Sequence, residues 1–244
     1  FAKAFDTVPH RRLISKLESY GIKGNILNWI SAFLSERTQI VKVNGAESFM
    51  AMVLSGIPQG SVLGPILFVI YINDILEKIE SHGLLFADDT KIFKHIMSRE
   101  DALSLQSDLD LLEQWSNTWL LRFNPDKCHV LSLGSLENIM YTHRYKIYGN
   151  ELEHVFDEKD LGVVVDSELR FKEHISEKVK KANMIMGLIR RSFSYLSCNL
   201  FKKLYITFVR PHLEYAQAVW SPHLKKYVNL IENVQVRATK YVDG

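Results

Sequence analysis

The sequence predicts an α+β fold, in which helices pack on a small antiparallel sheet and a basic, all-helical region follows. Apolar residues recur at helical spacing near the start of the chain and again over 100–121. Between these segments the spacing changes to the alternation typical of strands, with hairpin turns. After Asp166 only helical patterns remain, over 171–193, 199–209 and 227–241. Strands followed by a run of helices are typical of α+β proteins.

The first elements predicted are two helices and a hairpin. A helix should begin near Pro9 and end before Gly21, and a second should span 25–34. Residues 38–43 then alternate between polar and apolar up to Asn44–Gly45, a dipeptide typical of tight hairpin turns. The pattern therefore places a β-hairpin after the second helix.

A loop, a buried helix and further short strands follow. Segment 55–61 (SGIPQGS) is rich in turn-forming residues and predicts a loop. Segment 63–79 is strongly apolar and favours a helix with Pro65 in its first turn, although its β-branched residues leave a strand open. Residues 84–93 predict a tight hairpin. Short strands are expected near 130–133, 145–148 and 161–165.

The composition argues against several classes of protein. Of the 244 residues, 47% are hydrophobic and 24% are charged, as in ordinary globular domains. The two cysteines, Cys128 and Cys198, are far apart without a CxxC motif, and the histidines form no HExxH motif. A disulfide framework, a zinc ribbon or a zinc hydrolase is therefore not expected. The longest apolar run, 62–72, is too short to span a bilayer, so no membrane partner is expected.

The charged residues are unevenly distributed along the chain. Residues 1–169 contain 16 Lys or Arg and 23 Asp or Glu, a net charge of −7. Residues 170–244 contain 14 and 5 respectively, a net charge of +9. A basic region of this kind is consistent with a surface that faces a polyanion such as nucleic acid. A solvated helical surface explains the same charge equally well.

The most informative acidic residues are the adjacent pair Asp88–Asp89. Chance alone gives roughly three adjacent acid pairs at this composition, and three are present. The other two are Glu100–Asp101, which suits the first turn of a helix, and Asp157–Glu158. Strand-forming flanks would put Asp88 and Asp89 at the two turn positions of a hairpin, where their like charges favour a bound cation. Hard carboxylate oxygens suit Mg²⁺ or Mn²⁺, whereas a solvated β-turn is the simpler alternative.

Three segments, read together, resemble a known family. They are 1–10 (FAKAFDTVPH), 56–65 (GIPQGSVLGP) and 86–90 (FADDT). Their residues, order and spacing are similar to those of reverse transcriptases from non-LTR retrotransposons of the jockey-like type. The resemblance implies a right-hand polymerase palm over 1–168, incomplete at its N-terminus, and a thumb-like helical region over 169–244, incomplete at its C-terminus. The fingers and endonuclease regions of such polyproteins would be missing.

The resemblance assigns roles to five residues near the reaction. Asp88 and Asp89 match the paired catalytic aspartates that bind metal. Gln59 and Gly60 match the loop beside the incoming nucleotide, where glycine lets the backbone come close to substrate. Phe5 matches an aromatic steric gate that occupies the space of a ribose 2′-hydroxyl. An ordinary buried phenylalanine is the alternative for Phe5.

Later segments also resemble the family. Lys127, in 124–127 (NPDK), matches a lysine proposed to protonate the leaving pyrophosphate, with an exposed turn lysine as the equal alternative. Segment 161–166 (LGVVVD) resembles the strand that supports the primer end. The thumb is expected to grip phosphates without reading sequence. Its candidate residues are Lys172, Lys178, Lys180, Lys181, Arg190 and Arg191.

The implied reaction is RNA-directed DNA synthesis, in which a DNA primer is extended with dNTPs on an RNA template. Two Mg²⁺ ions are implied, with Mn²⁺ as a substitute. A third aspartate of the family pattern would immediately precede Phe1, and Asp6 is not assigned to metal because it follows the gate position. We therefore expect the 244 residues alone to have little or no polymerase activity.

Two other functions remain open. An RNA-dependent RNA polymerase also uses a palm with paired aspartates, but Phe5 and Ala87 argue against it. A decayed or domesticated fragment that only binds RNA or DNA would need no more than the basic region.

The resemblance implies action inside the cell, in the nucleus.

Overall fold

The structure of the chain is a computed structural model, and it describes residues 1–134, 143–193 and 195–241. It has mixed α and β structure, as the sequence predicts, and it divides into two compact units. The described residues of the first unit are 1–128 and 143–153, and those of the second are 129–134, 154–193 and 195–241. The predicted division into a palm over 1–168 and a thumb over 169–244 is a functional one and stays a prediction.

The helices and strands are numbered in chain order. The helices are α1 (Ala4–Thr7), α2 (His10–Ser19), α3 (Gly24–Leu34), α4 (Leu63–Ile72), α5 (Arg99–Trp119), α6 (Lys172–Ser192), α7 (Cys198–Leu204), α8 (Arg210–Glu214), α9 (Gln217–Trp220) and α10 (Lys225–Thr239). The strands are β1 (Thr38–Gln39), β2 (Lys42–Val43), β3 (Ala46–Glu47), β4 (Ala51–Met52), β5 (His82–Phe86), β6 (Asp89–Phe93), β7 (His129–Leu131), β8 (Lys146–Ile147), β9 (Asn150–Glu151), β10 (Glu153–Val155), β11 (Asp157–Asp160) and β12 (Val163–Asp166). A 3₁₀ turn, Pro125–Lys127, follows α5, and a π-helical turn, Tyr205–Val209, follows α7.

The strands do not form the single small sheet that the sequence predicts. Within the described residues they form six separate two-stranded pairs: β1–β4, β2–β3, β5–β6, β7–β10, β8–β9 and β11–β12. The strands are only two to five residues long, and tight turns return most of them onto a neighbour. The prediction of a single sheet was therefore wrong, although the positions of the predicted strands and hairpins were confirmed.

Helix α4 confirms the prediction of a helix with Pro65 in its first turn, but it ends at Ile72 rather than near residue 79. Lys16 of α2 explains the early end. Its Nζ donates a hydrogen bond of 2.6 Å to the Tyr71 carbonyl, which a continuing helix would use for the N–H of Ile75. That N–H bonds to Ile72 instead, and the chain continues in turns.

The core of the first unit lies among α2, α3, α4 and the end of α5. Its most deeply buried side chains are Val8, Leu13, Leu17, Leu67, Phe68, Tyr71 and Leu121, each 0% exposed. Full burial of one such side chain stabilises the fold by about 1.5–3 kcal/mol. The core therefore fixes α2 and α4, whose N-terminal ends follow segments 1–10 and 55–61.

Lys16 is a charged residue inside this core, with a side chain only 2% exposed. Its Nζ lies 2.6 Å from an Asp74 carboxylate oxygen and 3.7 Å from the centre of the Trp119 ring. Trp115 Nε1 donates to the same Asp74 oxygen at 2.8 Å. Burial lowers the pKa of Lys16, while Asp74 opposes that shift. The cluster of Lys16, Asp74 and the aromatic rings joins α2, α5 and the segment after α4.

The second unit has two apolar clusters. One packs α6 against α7, α8 and α10 through buried side chains that include Ala182, Met186, Phe201 and Val234. The other joins β12 to α6, α9 and α10 through Val163, Ile175, Trp220 and Tyr227. No helix in the described part of the chain has the length and apolar character needed to cross a membrane.

Candidate active site

Two of the three segments that resemble the family lie directly against each other. The backbone N–H of Gly56 donates to the Val8 carbonyl at 2.9 Å, and that of Ile57 donates to the Phe5 carbonyl at 2.7 Å. His10 Nε2 donates back to the Gly56 carbonyl at 2.7 Å. Segment 1–10 and the loop 55–61 are therefore held together by bonds in both directions.

Gly56 is required at this junction for two independent reasons. Its φ of +95° lies in the region that side chains disfavour. A Cβ at this position would also lie 2.7 Å from the backbone oxygen of Asp6, which is closer than van der Waals contact permits. A larger residue would thus force the two segments apart.

Gln59 and Asp6 are paired across the same junction. Gln59 Nε2 donates to Asp6 Oδ1 at 3.0 Å, and Ser55 Oγ donates to the Asp6 carbonyl at 3.0 Å. Gln59 and Gly60 are both exposed, and their place beside an incoming nucleotide stays a prediction. The structure gives Asp6 a bond within the junction, and its omission from the metal site stays a prediction.

Phe5 lies on α1 and is half-buried. Its ring stacks on Phe68 of α4, with ring centres 4.4 Å apart and planes inclined by 24°. This contact fixes the position of the ring, and neither the steric gate nor the alternative of a core residue is tested by it.

Asp88 and Asp89 lie on the β5–β6 hairpin, but only Asp88 occupies a turn position. Phe86 pairs with Asp89 in the strand register, so the two turn residues are Ala87 and Asp88. The prediction that both acids occupy the turn was therefore wrong by one residue. Ala87 takes the left-handed conformation at φ 49°, which few alanines adopt and which costs about 1–2 kcal/mol. Asp88 is half-buried and Asp89 is exposed.

The end of this hairpin away from the acids is held by α5. The carboxylate of Asp108 accepts hydrogen bonds from the N–H groups of Glu80 at 3.0 Å and Ser81 at 2.9 Å, directly before β5. Lys94, directly after β6, donates from Nζ to Ser104 Oγ. Sequence reasoning missed Asp108, because a charged residue in a helix reads as solvent-exposed until its partners are known.

The carboxylates of Asp88 and Asp89 have no hydrogen-bond or ion-pair partner among the described residues. Two free carboxylates with hard oxygens fit a divalent cation in kind. In the described part of the chain, no third acidic, histidine or cysteine side chain joins them in a group that could hold a metal. Together the two residues supply only part of the ligands that an ion needs.

Lys127 ends the 3₁₀ turn Pro125–Lys127. Asn124 caps the turn, with its Oδ1 accepting from the N–H of Asp126 at 3.2 Å. The Lys127 side chain is exposed. Its proposed role in protonating pyrophosphate stays a prediction.

The basic residues predicted to grip phosphates all lie on α6, but their environments differ. Lys178 is half-buried, and its Nζ donates to the Gly162 carbonyl at 3.1 Å. Arg190 lies over the Tyr241 ring, 5.2 Å from its centre, and Lys172 lies 3.6 Å from Glu173. The side chains of Lys180, Lys181 and Arg191 are exposed.

Segment 161–166, predicted to support a primer, forms the turn and second strand of the β11–β12 hairpin. His174 of α6 is fully buried, and its Nδ1 accepts from the N–H of Val164 at 3.1 Å. Burial is the main cause that lowers the pKa of His174. Tyr215 Oη donates to the Leu161 carbonyl at 2.9 Å, so this hairpin is tied to helices at both its turn and its strand.

Comparison with known proteins identifies the class. Residues 1–200 match the model of the family described as reverse transcriptase (RNA-dependent DNA polymerase). The chain belongs to this family.

The relatives include an RNA-directed DNA polymerase from the mobile element jockey of Drosophila melanogaster, which is 28% identical over 99% of this chain. The corresponding protein of Drosophila funebris is also 28% identical over 99% of the chain. A probable RNA-directed DNA polymerase from transposon BS of Drosophila melanogaster is 27% identical over 98%. The chain spans 27% of the length of the two jockey proteins and 28% of the third. The resemblance to non-LTR retrotransposon polymerases is thus confirmed.

Proposed function

We propose that this chain forms the palm and part of the thumb of an RNA-directed DNA polymerase from a non-LTR retrotransposon. The observation that carries the proposal is the Asp88–Asp89 pair at the tip of a two-stranded hairpin in a chain of the reverse transcriptase family. A solvated turn would show the same local geometry. It would not account for segments 1–10 and 55–61, which also resemble the family and are hydrogen-bonded to each other.

The proposed reaction is nucleotidyl transfer. The 3′-hydroxyl oxygen of a DNA primer forms a bond to the α-phosphorus of a dNTP paired with an RNA template, and the bond to pyrophosphate breaks. Asp88 and Asp89 would hold divalent ions, which would supply activation of the hydroxyl and stabilisation of the leaving phosphate charge.

The remaining residues bind and orient the substrates. The loop that carries Gln59 and Gly60 is held in place by its bonds to segment 1–10, so it offers a fixed surface to the incoming nucleotide. Phe5, held by Phe68, would restrict the sugar that enters. Lys127 would donate a proton to the departing pyrophosphate.

Helix α6 is proposed to belong to the thumb. Lys180, Lys181 and Arg191, which are among its exposed basic residues, would contact phosphates of the template–primer duplex. The same exposed basic side chains favour a second candidate function, that of a module that binds RNA or DNA without catalysis.

The experiment is a measurement of Mn²⁺ binding to the 244-residue chain by electron paramagnetic resonance. We expect Asp88→Asn to weaken binding by about tenfold or more, because one of two carboxylates is lost. Asp157→Asn is the matched control, since Asp157 is an exposed member of another acid pair on a hairpin. Equal Mn²⁺ affinity of the unsubstituted chain and its Asp88→Asn variant would contradict the proposed metal site.

Primer extension with Mg²⁺, an RNA template and dNTPs separates the two candidate functions. The 244 residues alone are expected to extend a primer little, because two carboxylates supply only part of the coordination that two ions require. Nucleic-acid binding without any Mn²⁺ binding at Asp88 would favour the non-catalytic module. Efficient extension would contradict the expected inactivity and support the polymerase.

A further inference from the structure

Asp108 has a buried carboxylate whose two oxygens both accept hydrogen bonds from the backbone directly before β5. The residue lies on α5 and is 2% exposed. Its Oδ1 accepts from the N–H of Glu80 and its Oδ2 from that of Ser81, at 3.0 and 2.9 Å. Glu80 and Ser81 directly precede β5, which runs to the acid pair. Both oxygens are therefore committed to the base of the candidate catalytic hairpin.

Helix α5 holds the second strand from the same face. Ser104 lies four residues before Asp108, and positions four apart are neighbours on a helix. Its Oγ accepts from Lys94 Nζ at the end of β6 and lies 3.4 Å from a Glu80 carboxylate oxygen. One face of α5 thus contacts the residues that directly precede β5 and directly follow β6, at the end of the hairpin opposite Asp88.

Asp108 is in its charged form at neutral pH. Burial by itself raises the pKa of Asp108, but the hydrogen bonds from Ser81 and Glu80 more than offset this and lower the pKa below its usual value. Charge-assisted bonds of this kind are shorter and stronger than bonds between neutral groups. Asp108 therefore fixes the backbone at this point more firmly than an amide or hydroxyl would.

A small tilt at the base of the β5–β6 hairpin displaces its tip, where Asp88 lies, by a larger distance. Five residues of strand reach about 17 Å, so a tilt of about 5° at the base would displace the tip by about 1.5 Å. Misplacement of reacting groups by about 1 Å can cost about a hundredfold in rate. An isolated two-stranded hairpin is marginally stable, so its orientation depends on what holds its base.

We infer that Asp108 is a positioning residue for the Asp88–Asp89 pair, acting through the N–H groups of Glu80 and Ser81. The inference rests on the proposed function, since it needs the pair to bind metal. Asp108 itself touches neither metal nor substrate. It acts on the position and the mobility of the hairpin tip.

The test compares Asp108→Asn with Asp110→Asn in the full 244-residue chain. The Asn side chain would present one oxygen and one NH₂ group, so one of the two backbone donors would face another donor. Asp110 is exposed on the same helix and accepts from Gln106 at 2.8 Å, which makes it a matched control. The readouts are amide hydrogen exchange across 82–93 and Mn²⁺ affinity.

In Asp108→Asn we expect cross-strand amides of 82–93 to exchange at least about tenfold faster. Amides of α2 and α3 should be unchanged, and Mn²⁺ affinity should fall several-fold. Asp110→Asn should behave as the unsubstituted chain in both readouts. Faster exchange to the same degree throughout the first unit would reduce Asp108 to a general stabilising residue and overturn the inference.

The metal readout separates this inference from the proposed function. Weaker Mn²⁺ binding in Asp88→Asn but not in Asp108→Asn would overturn the positioning role alone. Unchanged binding in Asp88→Asn would remove the metal site and the positioning role with it. If Asp108→Asn does not fold, hydrogen exchange in the unsubstituted chain decides. The N–H groups of Glu80 and Ser81 should then exchange no faster than the cross-strand amides of 82–93, and faster exchange of these two groups would overturn the inference.

Discussion

The side-chain amide of Gln59 donates a hydrogen bond of 3.0 Å to the carboxylate of Asp6, across a separation of 53 residues in the sequence. This bond lies at the edge of a junction whose centre is the backbone of Gly56. Two of the three segments that resemble the family are therefore parts of one structural feature. The stability of that junction can be measured independently of any activity.

Gly56→Ala should destabilise the first unit by about 2 kcal/mol or more, because the added Cβ would meet the Asp6 backbone at 2.7 Å. Urea unfolding measures the effect. Gly60→Ala is the matched control: Gly60 also has positive φ, at +79°, but no atom lies within 4 Å of its added Cβ. It should cost about 1 kcal/mol. Equal losses in the two variants would contradict the close approach.

The buried pair of Lys16 and Asp74 predicts which of two substitutions lowers the free energy of unfolding more. Asp74→Ala should destabilise the fold by about 3–5 kcal/mol, because it leaves the Lys16 charge buried without its counter-ion. Lys16→Met should cost less, since Asp74 is 21% exposed and keeps its bond from Trp115. The free energies of unfolding of the two variants test this order. A larger loss for Lys16→Met would contradict the environment described for the pair.

His174 predicts a pH dependence of stability in the second unit. Its pKa is lowered from 6.5 on folding, mainly by burial and then by Lys178, while Glu177 acts in the opposite direction. The unfolded chain therefore binds the proton more readily. The stability that neutral His174 contributes is complete above pH 6.5 and is lost as pH falls through and below that value.

Thermal unfolding between pH 8 and pH 5 checks this dependence. His174→Asn keeps an acceptor for the N–H of Val164 but cannot be protonated, so its midpoint should fall less on acidification than that of the unsubstituted chain. His223→Asn replaces an exposed histidine and should leave the dependence as it is. Identical pH profiles for His174→Asn and the unsubstituted chain would argue against the neutral, bonded state.

Three of the exposed cations of α6, namely Lys180, Lys181 and Arg191, predict the salt dependence of nucleic-acid binding. Replacing Lys180, Lys181 and Arg191 by Gln should reduce the slope of log K against log salt by about 2–3 for an RNA–DNA duplex. Lys178→Gln should leave the slope nearly unchanged, because the Lys178 ammonium is bonded to the Gly162 carbonyl. Binding titrations at several salt concentrations measure both. A slope that is the same in the triple variant would exclude these residues from the interface.

Much of the local structure could be predicted from the sequence. Helices α2, α3 and α5 have strong apolar periodicity, and the turn at Asn44–Gly45 is specified by residues that favour positive φ. The three ordered motifs identified the family, and the comparison confirmed it. In each case the information lies within a few neighbouring residues or in a residue pattern.

The details that could not be predicted depend on partners far away in the sequence. Strand-forming flanks predict a turn at Asp88 and Asp89, whereas the register of β5 and β6 places Ala87 and Asp88 there, with Ala87 at a positive φ that alanine rarely adopts. The sequence analysis singled out neither Lys16 nor Asp108, because charged residues on helices are usually exposed. Their partners lie 55–58 and 27–28 residues away, and no local pattern encodes such distances.

The local character of the β5–β6 hairpin also sets an order of assembly during folding. Its strands are joined by a two-residue turn, so it can close within about 1–10 μs. The bonds of Gly56 and Ile57 to Val8 and Phe5 instead enclose a long loop, whose closure carries a larger entropy cost and comes later. The hairpin that carries the acid pair should therefore form before the loop 55–61 is in place. A slow phase in refolding should therefore reflect formation of the Gly56 junction, whereas the hairpin should form in an earlier phase.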